Sequence, residues 1–589
     1  MIYRRALSVV LTLLLTAVAA RAESVLQAIP TDALGFAVAK NAADLDAKIQ
    51  KLGARLQVPM PGPLATMKML GGIQQGLDDQ GSLAVAVMPA EEVEGDPVVA
   101  LLLPASDYQK LIAQLQPADA SARVTPVVLM GEDYLVGHKD GYALFVDPEH
   151  SQTLTAILDA KPRIDREIKP LVAWLHEADA AMVVKSAGIT LICAKIQAGL
   201  EEAKAGLAEL GEQMQPAIGM FDMYSRLLQA IEQGVDTYAA RVRVDDQENL
   251  FLQDITRLSP GSALAEMFAD IKPLKDDPAN GLPAVPYVFA GGGVLPERLA
   301  TGLIEFSARM TAIVPKIYGI PAEKSGQLAD IYRQTLTGLR GMSMTLGVPK
   351  PGQGMYGNTA ALLQVDDAAD YLKRYAKSLK DLKELTADQE EPSLFGGFQF
   401  QQTKIDGAAA LKGSMDITQL PGMPDVPQMR SLMEAMYGPG GKVTFYLIVA
   451  DNDTIVAAYS EEIARETLKL VRQGKPGLVA SISETKTAKL LPGGQWAAYW
   501  SLPGTSEFFK TVFRSLTQVG LPMGPIADKW PEFPESPPVG LSAKAEAGQI
   551  TGTMVVPAET ITATGVYIQR WTQAVQAMIE QQQIAPEVP

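Results

Sequence analysis

Residues 81–115 decide the architecture and have the sequence GSLAVAVMPAEEVEGDPVVALLLPASDYQKLIAQL. The apolar residues that alternate after Gly81 predict a strand, and the acidic stretch that follows predicts a loop. The apolar run before Pro104 predicts a second strand, and a helix is expected to begin near Ser106. The stretch therefore predicts a strand, a loop, a strand and a helix in succession.

A second copy of this pattern occupies residues 341–379, GMSMTLGVPKPGQGMYGNTAALLQVDDAADYLKRYAKSL. Both copies begin with glycine and continue with alternating apolar residues. Both also enter the helix through an Ala-x-Asp-Tyr motif, at residues 105–108 and 368–371. The repetition predicts that the chain contains an internal duplication.

Four more pairs of segments support the duplication, because they occur in the same order in both halves. Residues 30–56 correspond to 283–310, and residues 133–149 correspond to 443–461. Residues 180–233 correspond to 495–500 with the helix that follows, and residues 237–258 correspond to 540–557. Identity within each pair is low, so the shared order carries the inference. Residues 272–286, KPLKDDPANGLPAVP, are rich in proline, aspartate and glycine and predict the boundary between the halves.

The predicted fold class is α+β, with two tandem, similarly folded domains that arose by internal duplication. Each domain is expected to be an antiparallel or mixed sheet with helices packed on one face. The domains are predicted at residues 23–275 and 284–589, the second with an insertion near 411–442 and a proline-rich connector at 520–540. Such added loops often carry specificity, and a groove between the halves is an expected place for a ligand.

Composition excludes several classes of function. The chain has 589 residues, and its 47% hydrophobic and 20% charged content is that of a globular protein. A formal net charge of −16 without a basic patch argues against binding to nucleic acid. Cys193 is the single cysteine, so the chain has no internal disulfide.

The N-terminus predicts export. Arg4 and Arg5 precede an apolar run at residues 6–20, and Ala20-Arg21-Ala22 fits the small-x-small pattern of a cleavage site. Residues 1–22 are therefore predicted to be a signal peptide that is cleaved after Ala22. The mature chain is expected to be periplasmic or extracellular and to have no transmembrane segment.

The usual catalytic and metal-binding patterns are missing. The three histidines, His138, His150 and His176, have no second ligand at the spacing that a zinc site needs, although His138 and His150 could approach each other. No Gly-x-Ser-x-Gly motif marks a nucleophilic serine. Residues 291–293, three glycines, lack the rest of a nucleotide-binding pattern and predict a flexible turn. No catalytic, cofactor-binding or metal-ligating residue is assigned, and no cofactor is expected.

The one candidate contact surface is a group of methionines in the predicted insertion. Met429, Met433 and Met436 have i, i+4, i+7 spacing, which places them on one face of a short helix. This face could pack on its own domain, contact a protein partner or an apolar ligand, or hold copper(I). The sequence leaves these three interpretations open.

The opening Pro30-Thr31-Asp32-Ala33, the Ala-x-Asp-Tyr motifs and the closing paired strands carry a resemblance. The chain resembles a group of exported bacterial proteins that share a domain of unknown function, in pattern and order over most of the mature chain. The resemblance implies no catalytic residue. We therefore expect a non-catalytic exported protein that is a binding or structural component of the bacterial cell envelope. The alternatives are a hydrolase that uses carboxylates in the groove between the halves, and a carrier of lipid or apolar ligand.

Overall fold

Helices and strands are mixed in the computed structural model of the protein. It describes residues 22–91, 95–161, 164–209, 215–269, 271, 277–302, 324–350, 352–385, 398–419, 427–518, 527–546 and 548–584. Helices account for 45% and strands for 29%, and the strands form a large antiparallel sheet. The mixed helix-and-sheet class is confirmed. Residues 1–21, which hold most of the predicted signal peptide, lie outside the described residues.

The chain divides into two compact units. Unit 1 comprises Met1–Ala194, Val235–Ser259 and Thr551–Gly565, and unit 2 comprises Lys195–Gly234, Pro260–Ile550 and Val566–Pro589. Neither unit is continuous in sequence. The predicted boundary in residues 272–286 falls partly on residues outside the described set and stays a prediction.

The strands of unit 1 pair in the order β4-β5-β6-β3-β2-β1-β7-β8-β9. Their bounds are β1 Gly35–Ala39, β2 Leu83–Met88, β3 Val98–Pro104, β4 Val124–Leu129, β5 Glu132–Lys139, β6 Tyr142–Val146, β7 Ala180–Lys185, β8 Val235–Val244 and β9 Leu250–Leu258. Residues 551–556, which belong to the last strand of the chain, adjoin β9 at the end of this series.

The strands of unit 2 pair in the order β13-β14-β15-β16-β12-β11-β10-β17-β18. Their bounds are β10 Tyr287–Val294, β11 Leu339–Gly347, β12 Ala360–Val365, β13 Phe398–Ile405, β14 Ala408–Asp416, β15 Lys442–Val449, β16 Thr454–Ala458, β17 Trp496–Trp500 and β18 Val539–Glu546; β19, Gln549–Val556, crosses the boundary between the units. Read from the hairpin end of each sheet, the eight strands from β14 to β18 in unit 2 follow the order of the eight strands from β4 to β8 in unit 1, and β13 lies outside them at the edge.

The helices connect these strands. Those that lie in unit 1 are α1 Ala22–Ala28, α2 Ala42–Leu56, α3 Pro63–Gly71, α4 Tyr108–Ala113, α5 Ser151–Asp159, α6 Ile164–Glu167 and α7 Lys169–His176. The others are α8 Ser186–Glu209, α9 Gln215–Gly234, α10 Ala263–Met267, α11 Ser325–Leu336, α12 Ala368–Leu385, α13 Pro427–Tyr437, α14 Glu461–Arg472, α15 Leu478–Ser483, α16 Lys486–Leu490, α17 Leu502–Gln518 and α18 Ala558–Ile584. None of the described helices combines the length and the apolar character that crossing a bilayer requires.

Helices cover both faces of the sheet in unit 1, so the prediction of helices on one face is wrong. Neighbouring residues of a strand point to opposite faces, and they enter separate cores here. Leu102 and Leu144 pack with α1, α5 and α7, whereas Leu103 and Phe145 pack with α2, α3 and α4. The sequence of β3, VVALLLP, is apolar without interruption, which is typical of a strand that is buried on both faces.

Unit 2 has the same two-sided arrangement. Ile448 and Val456 pack with α14 and α15 on one face. Their neighbours Leu447 and Ile455 pack with α12 on the other. The sheet is therefore the middle layer of three.

The two Ala-x-Asp-Tyr motifs do not occupy equivalent positions, which corrects their interpretation as one helix entry. Asp107 is the cap of α4, and its side chain accepts a hydrogen bond from the Lys110 N–H at 3.1 Å. In the second motif Asp370 lies inside α12, and Asp367 accepts from the Asp370 N–H at 2.8 Å. An aspartate caps a helix only where it precedes the first turn, so the matching residues are Asp107 and Asp367.

The predicted insertion near 411–442 is partly regular structure. Its first residues belong to β14, which pairs with β13 and β15 in the sheet. Its last part contains α13, and residues 420–426 lie outside the described set. The β13–β14 hairpin is an element that the sequence did not predict.

Candidate binding surface

The three predicted contact methionines lie on α13. Met433 is 7% exposed, and a Cβ at Gly441 would lie 3.4 Å from the Met433 Cβ. Met429 and Met436 are half-buried, and the Met436 carbonyl accepts a hydrogen bond from the Met355 N–H at 2.7 Å. The geometry thus gives the central methionine a packing role in unit 2. Contact with a partner or ligand stays a prediction.

The histidines lie at three separate places in unit 1. His138 stacks on Tyr108 with ring centroids 4.7 Å apart, and His150 Nδ1 lies 3.9 Å from Glu91 Oε2. His176 closes α7, and its Nε2 atom is buried without a hydrogen-bond partner. Among the described residues, no group of three His, Cys, Asp or Glu side chains is placed to hold a metal ion.

A buried carboxylate in unit 1 is the most perturbed described acid. Asp179 is 3% exposed, and its carboxylate accepts hydrogen bonds from Lys48 Nζ at 3.3 Å and from the Val244 N–H. Burial raises the pKa of Asp179 to about 6, although the Val244 N–H and the Lys48 charge act to lower it. The adjoining cavity, which Lys40 and Asp179 line together with apolar side chains, holds about 10 Å³. That volume fits one water and no substrate, so the geometry gives Asp179 the role of tying α2 to β7 and β8.

A face of the sheet in unit 2 is the strongest candidate for a binding surface. Strand pairing aligns three rows of side chains that point to this face, across β18, β17, β10, β11 and β12. The first row is Val539, Trp500, Phe289 and Leu346; the second is Leu541, Ala498, Gly291, Met344 and Ala361; the third is Ala543, Trp496, Gly293, Met342 and Leu363. We call these three rows the apolar face.

The apolar face is uncharged, and two of its side chains are exposed. Every position in its three rows is apolar, in a chain with 20% charged residues. Met342 is 46% exposed and Trp500 is 42% exposed, whereas Phe289, Met344 and Leu346 are half-buried. The indole N–H of Trp500 already donates to Thr505 Oγ1 at 2.8 Å, so its exposed part offers ring surface rather than a donor.

Residues 291–293 lie within β10, so the predicted flexible turn is wrong. A Cβ at Gly291 would lie 2.6 Å from Ala498 Cβ, and a Cβ at Gly293 would lie 2.2 Å from the Trp496 ring. Contacts this short do not occur between real side chains, so the neighbouring strand requires glycine at both positions. Because these glycines have no side chains, the Trp496 ring lies against the backbone of β10 in the middle of the apolar face.

The matching strand of unit 1 is covered at the corresponding place. Leu83, which the sequence pairs with Met342, is 3% exposed and packs in a core with Leu45 and Ile49 of α2. Met342 is exposed although the alternation of its strand is the same. The sequence predicted the strand and the side-chain alternation correctly, but it gave no signal that Met342 is exposed and Leu83 buried.

Comparison with protein families, with curated proteins and with solved structures finds no match to this chain.

Proposed function

We propose that the protein is an exported, non-catalytic binding protein of the bacterial cell envelope, periplasmic or extracellular, and that the apolar face of unit 2 takes an apolar partner. The exposure of Met342 and Trp500 on a face without charge is the observation that carries the proposal. Covering apolar surface contributes about 25 cal/mol per Å². Large apolar side chains that are exposed on one uncharged face of a sheet therefore support a place of interaction.

Internal duplication is part of the proposal. Its support is the strand order that the two units share. In unit 1 the hairpin strands are followed by β3, β2 and β1 and then by β7 and β8. In unit 2 they are followed by β12, β11 and β10 and then by β17 and β18. Copying one module would produce that order twice, with β13 as a later addition.

A hydrolase is the second candidate, because burial raises the pKa of the Asp254 carboxyl group. Turnover of a panel of glycosides and esters that disappears in Asp254→Asn would favour it. Absence of turnover by the wild-type protein would favour the binding protein.

The binding proposal is tested with Nile red, an uncharged dye whose fluorescence rises in apolar surroundings. We expect the full chain to bind it and Met342→Gln to weaken binding about fivefold, since about 1 kcal/mol of apolar contact is lost. Met69→Gln is the matched control, because Met69 is 74% exposed on α3 in unit 1. Absence of dye binding, or equal effects of both substitutions, would overturn the proposal.

A further inference from the structure

We propose that three tyrosines of unit 2 form a docking site for a proline-rich peptide in the polyproline II conformation. They are Tyr356 in the loop between β11 and β12, Tyr437 at the end of α13 and Tyr459 directly after β16, and we call them the tyrosine cluster. None of the three belongs to the rows of the apolar face, so the cluster is a second and separate binding surface.

The three rings adjoin one another, and their planes are close to parallel. The ring centroids of Tyr356 and Tyr459 are 5.4 Å apart with an interplanar angle of 35°, and those of Tyr356 and Tyr437 are 6.3 Å apart with an angle of 29°. Tyr356 is therefore the central ring. It is 37% exposed and Tyr459 is 41% exposed, so both present ring surface to the solvent.

Backbone contacts hold the cluster in place without a ligand. The Met355 N–H donates to the Met436 carbonyl at 2.7 Å, which joins the loop to α13, and the Tyr459 N–H donates to the Thr359 carbonyl at 3.3 Å, which joins the loop to β16. A Cβ at Gly354 would lie 2.3 Å from the backbone of the last residue of α13, so this close approach requires glycine. A site that is already ordered loses little conformational entropy on binding.

The strand order that the two units share does not require aromatic residues at this place. In unit 1 the loop between β2 and β3 is residues 89–97, and the junction of β6 with α5 is residues 147–150; neither contains Phe, Trp or Tyr. Glu91 makes the contact there, and its carboxylate accepts hydrogen bonds from the Thr153 N–H at 2.9 Å and the Thr153 hydroxyl at 2.6 Å. The aromatic contact is therefore particular to unit 2.

The hydroxyl groups of the cluster favour a ligand that offers acceptors. In the part of the chain that the structure describes, the hydroxyls of Tyr356, Tyr437 and Tyr459 have no hydrogen-bond partner. Each can donate one hydrogen bond. A polyproline II segment leaves its backbone carbonyls open to solvent, and proline has no N–H, so such a segment supplies acceptors together with flat apolar rings.

The ring separations suit this backbone. Polyproline II advances about 3.1 Å per residue, so two residues span about 6.2 Å, which is close to both centroid distances. Aromatic surfaces recognise proline-rich segments in this conformation. An oligosaccharide fits less well, because its hydroxyl donors need acceptors, and the carboxylate of Glu462, three residues after Tyr459, already pairs with Lys350 at 2.8 Å.

Isothermal titration calorimetry of the full chain with a capped nonaproline, which is uncharged, tests the proposal. We expect saturable binding to one site, and Tyr356→Ala should weaken it about tenfold because it removes the central ring. Tyr356→Phe keeps the ring and loses one hydrogen bond, so it should weaken binding about threefold. Tyr224→Ala is the matched control, since Tyr224 is 46% exposed on α9 outside the cluster, and it should leave binding unchanged.

Absence of saturable binding would overturn the proposal, as would equal weakening by Tyr356→Ala and Tyr224→Ala. A Gly-Ser peptide of the same length should not bind, and equal binding of the two peptides would also contradict a polyproline II site. Binding of cellohexaose or chitohexaose that Tyr356→Ala abolishes, without binding of nonaproline, would make the cluster a carbohydrate site instead. Tyr459→Ala replaces Tyr356→Ala if circular dichroism shows that variant to be unfolded.

Met342→Gln separates this site from the apolar face. Because Met342 lies in a row of the apolar face, the substitution should leave nonaproline binding unchanged while it weakens Nile red binding. Loss of nonaproline binding in Met342→Gln would place the peptide on the apolar face and overturn the tyrosine site. Failure of Nile red to bind would remove the proposed function and leave the nonaproline result to decide the tyrosine site.

Discussion

Lys48 Nζ on α2 lies 3.3 Å from Asp179 Oδ1, and Asp179 is 3% exposed at the start of β7. The pair joins a helix to the central strands of unit 1, and the Val244 N–H donates to the same carboxylate. A buried carboxylate with these partners stays charged at neutral pH, but burial still raises its pKa to about 6.

This pair predicts a pH dependence of stability. The native pKa of Asp179 is about 6, and that of the unfolded chain is near the ordinary value of 3.8, so between these values the native state binds more protons. The free energy of unfolding should therefore fall as the pH rises from about 4 to about 6 and then level off. The contribution is on the order of 3 kcal/mol.

Urea unfolding at several pH values from 4 to 7 measures this slope as the difference between the wild type and Asp179→Asn. Asp140→Asn is the control, because Asp140 is exposed in the β5–β6 turn. A wild-type slope that Asp179→Asn leaves unchanged would contradict the assigned pKa.

A second prediction concerns a buried guanidinium in unit 1. Arg241 is 7% exposed and donates to the Trp174 carbonyl at 2.5 Å, to Gln253 at 2.8 Å and to Glu177 at 3.0 Å. Arg241→Met should destabilise unit 1 by about 3 kcal/mol, because it removes three hydrogen bonds from a buried position. Arg241→Lys should recover only part of this loss, since lysine lacks the planar fork.

The control for Arg241 is an exposed ion pair. Arg123 is 61% exposed and pairs with Asp159, so Arg123→Ala should cost less than about 1 kcal/mol. Chemical denaturation of the three variants measures the difference, and similar losses for Arg241→Met and Arg123→Ala would refute the structural role of Arg241.

The glycines of β10 give a third prediction. Gly293→Ala should destabilise the protein by about 1–3 kcal/mol, because the new methyl group would meet the Trp496 ring. Gly199→Ala is the opposite case: Gly199 lies inside α8 with no other atom within 4 Å of its Cβ position. That change should stabilise the helix by about 0.5–1 kcal/mol. Thermal unfolding compares the two, and a neutral Gly293→Ala would mean that β17 does not lie against β10 as described.

Export gives the fourth prediction, and it concerns residues outside the described set. Expression in a bacterium should yield a mature chain that begins at Glu23, as intact mass spectrometry will determine. Ala20→Asp should block cleavage, because the position requires a small uncharged residue. A mature protein that keeps Met1 would show that the N-terminus is not a cleaved leader.

Much of the local structure could be predicted because it depends on neighbouring residues. The alternation after Gly81, the Asp140-Gly141 turn and the helix at Ala42–Leu56 each depend on a few adjacent side chains. The prediction for residues 291–293 was wrong, because three glycines in succession are typical of a turn. Here they lie in a strand, and the close approach of the neighbouring strand leaves no room for side chains. The two Ala-x-Asp-Tyr motifs were matched for a similar reason: several aspartates stand close together in the second motif, and only the start of α12 separates Asp367 from Asp370.

The candidate face could not be predicted from the pattern of its strands. Leu83 and Met342 follow the same alternation, yet one is buried under α2 and the other is exposed. Alternation reports which residues share a face of a strand, and it carries no information on whether another element covers that face. Trp496 and Trp500 were visible as an alternating pair, but their alignment with Gly293 and Phe289 depends on strand register.

The sequence by itself determined the mixed α and β class, the order of the elements and the side-chain periodicity of each strand, because these follow from contacts between residues close in the chain. Only the tertiary structure decided which strands become neighbours, that helices cover both faces in unit 1, and that Met342 and Trp500 of unit 2 are exposed. Those outcomes depend on pairing between segments that are distant in sequence, where backbone hydrogen bonds set the register and the fit of whole surfaces decides what is buried.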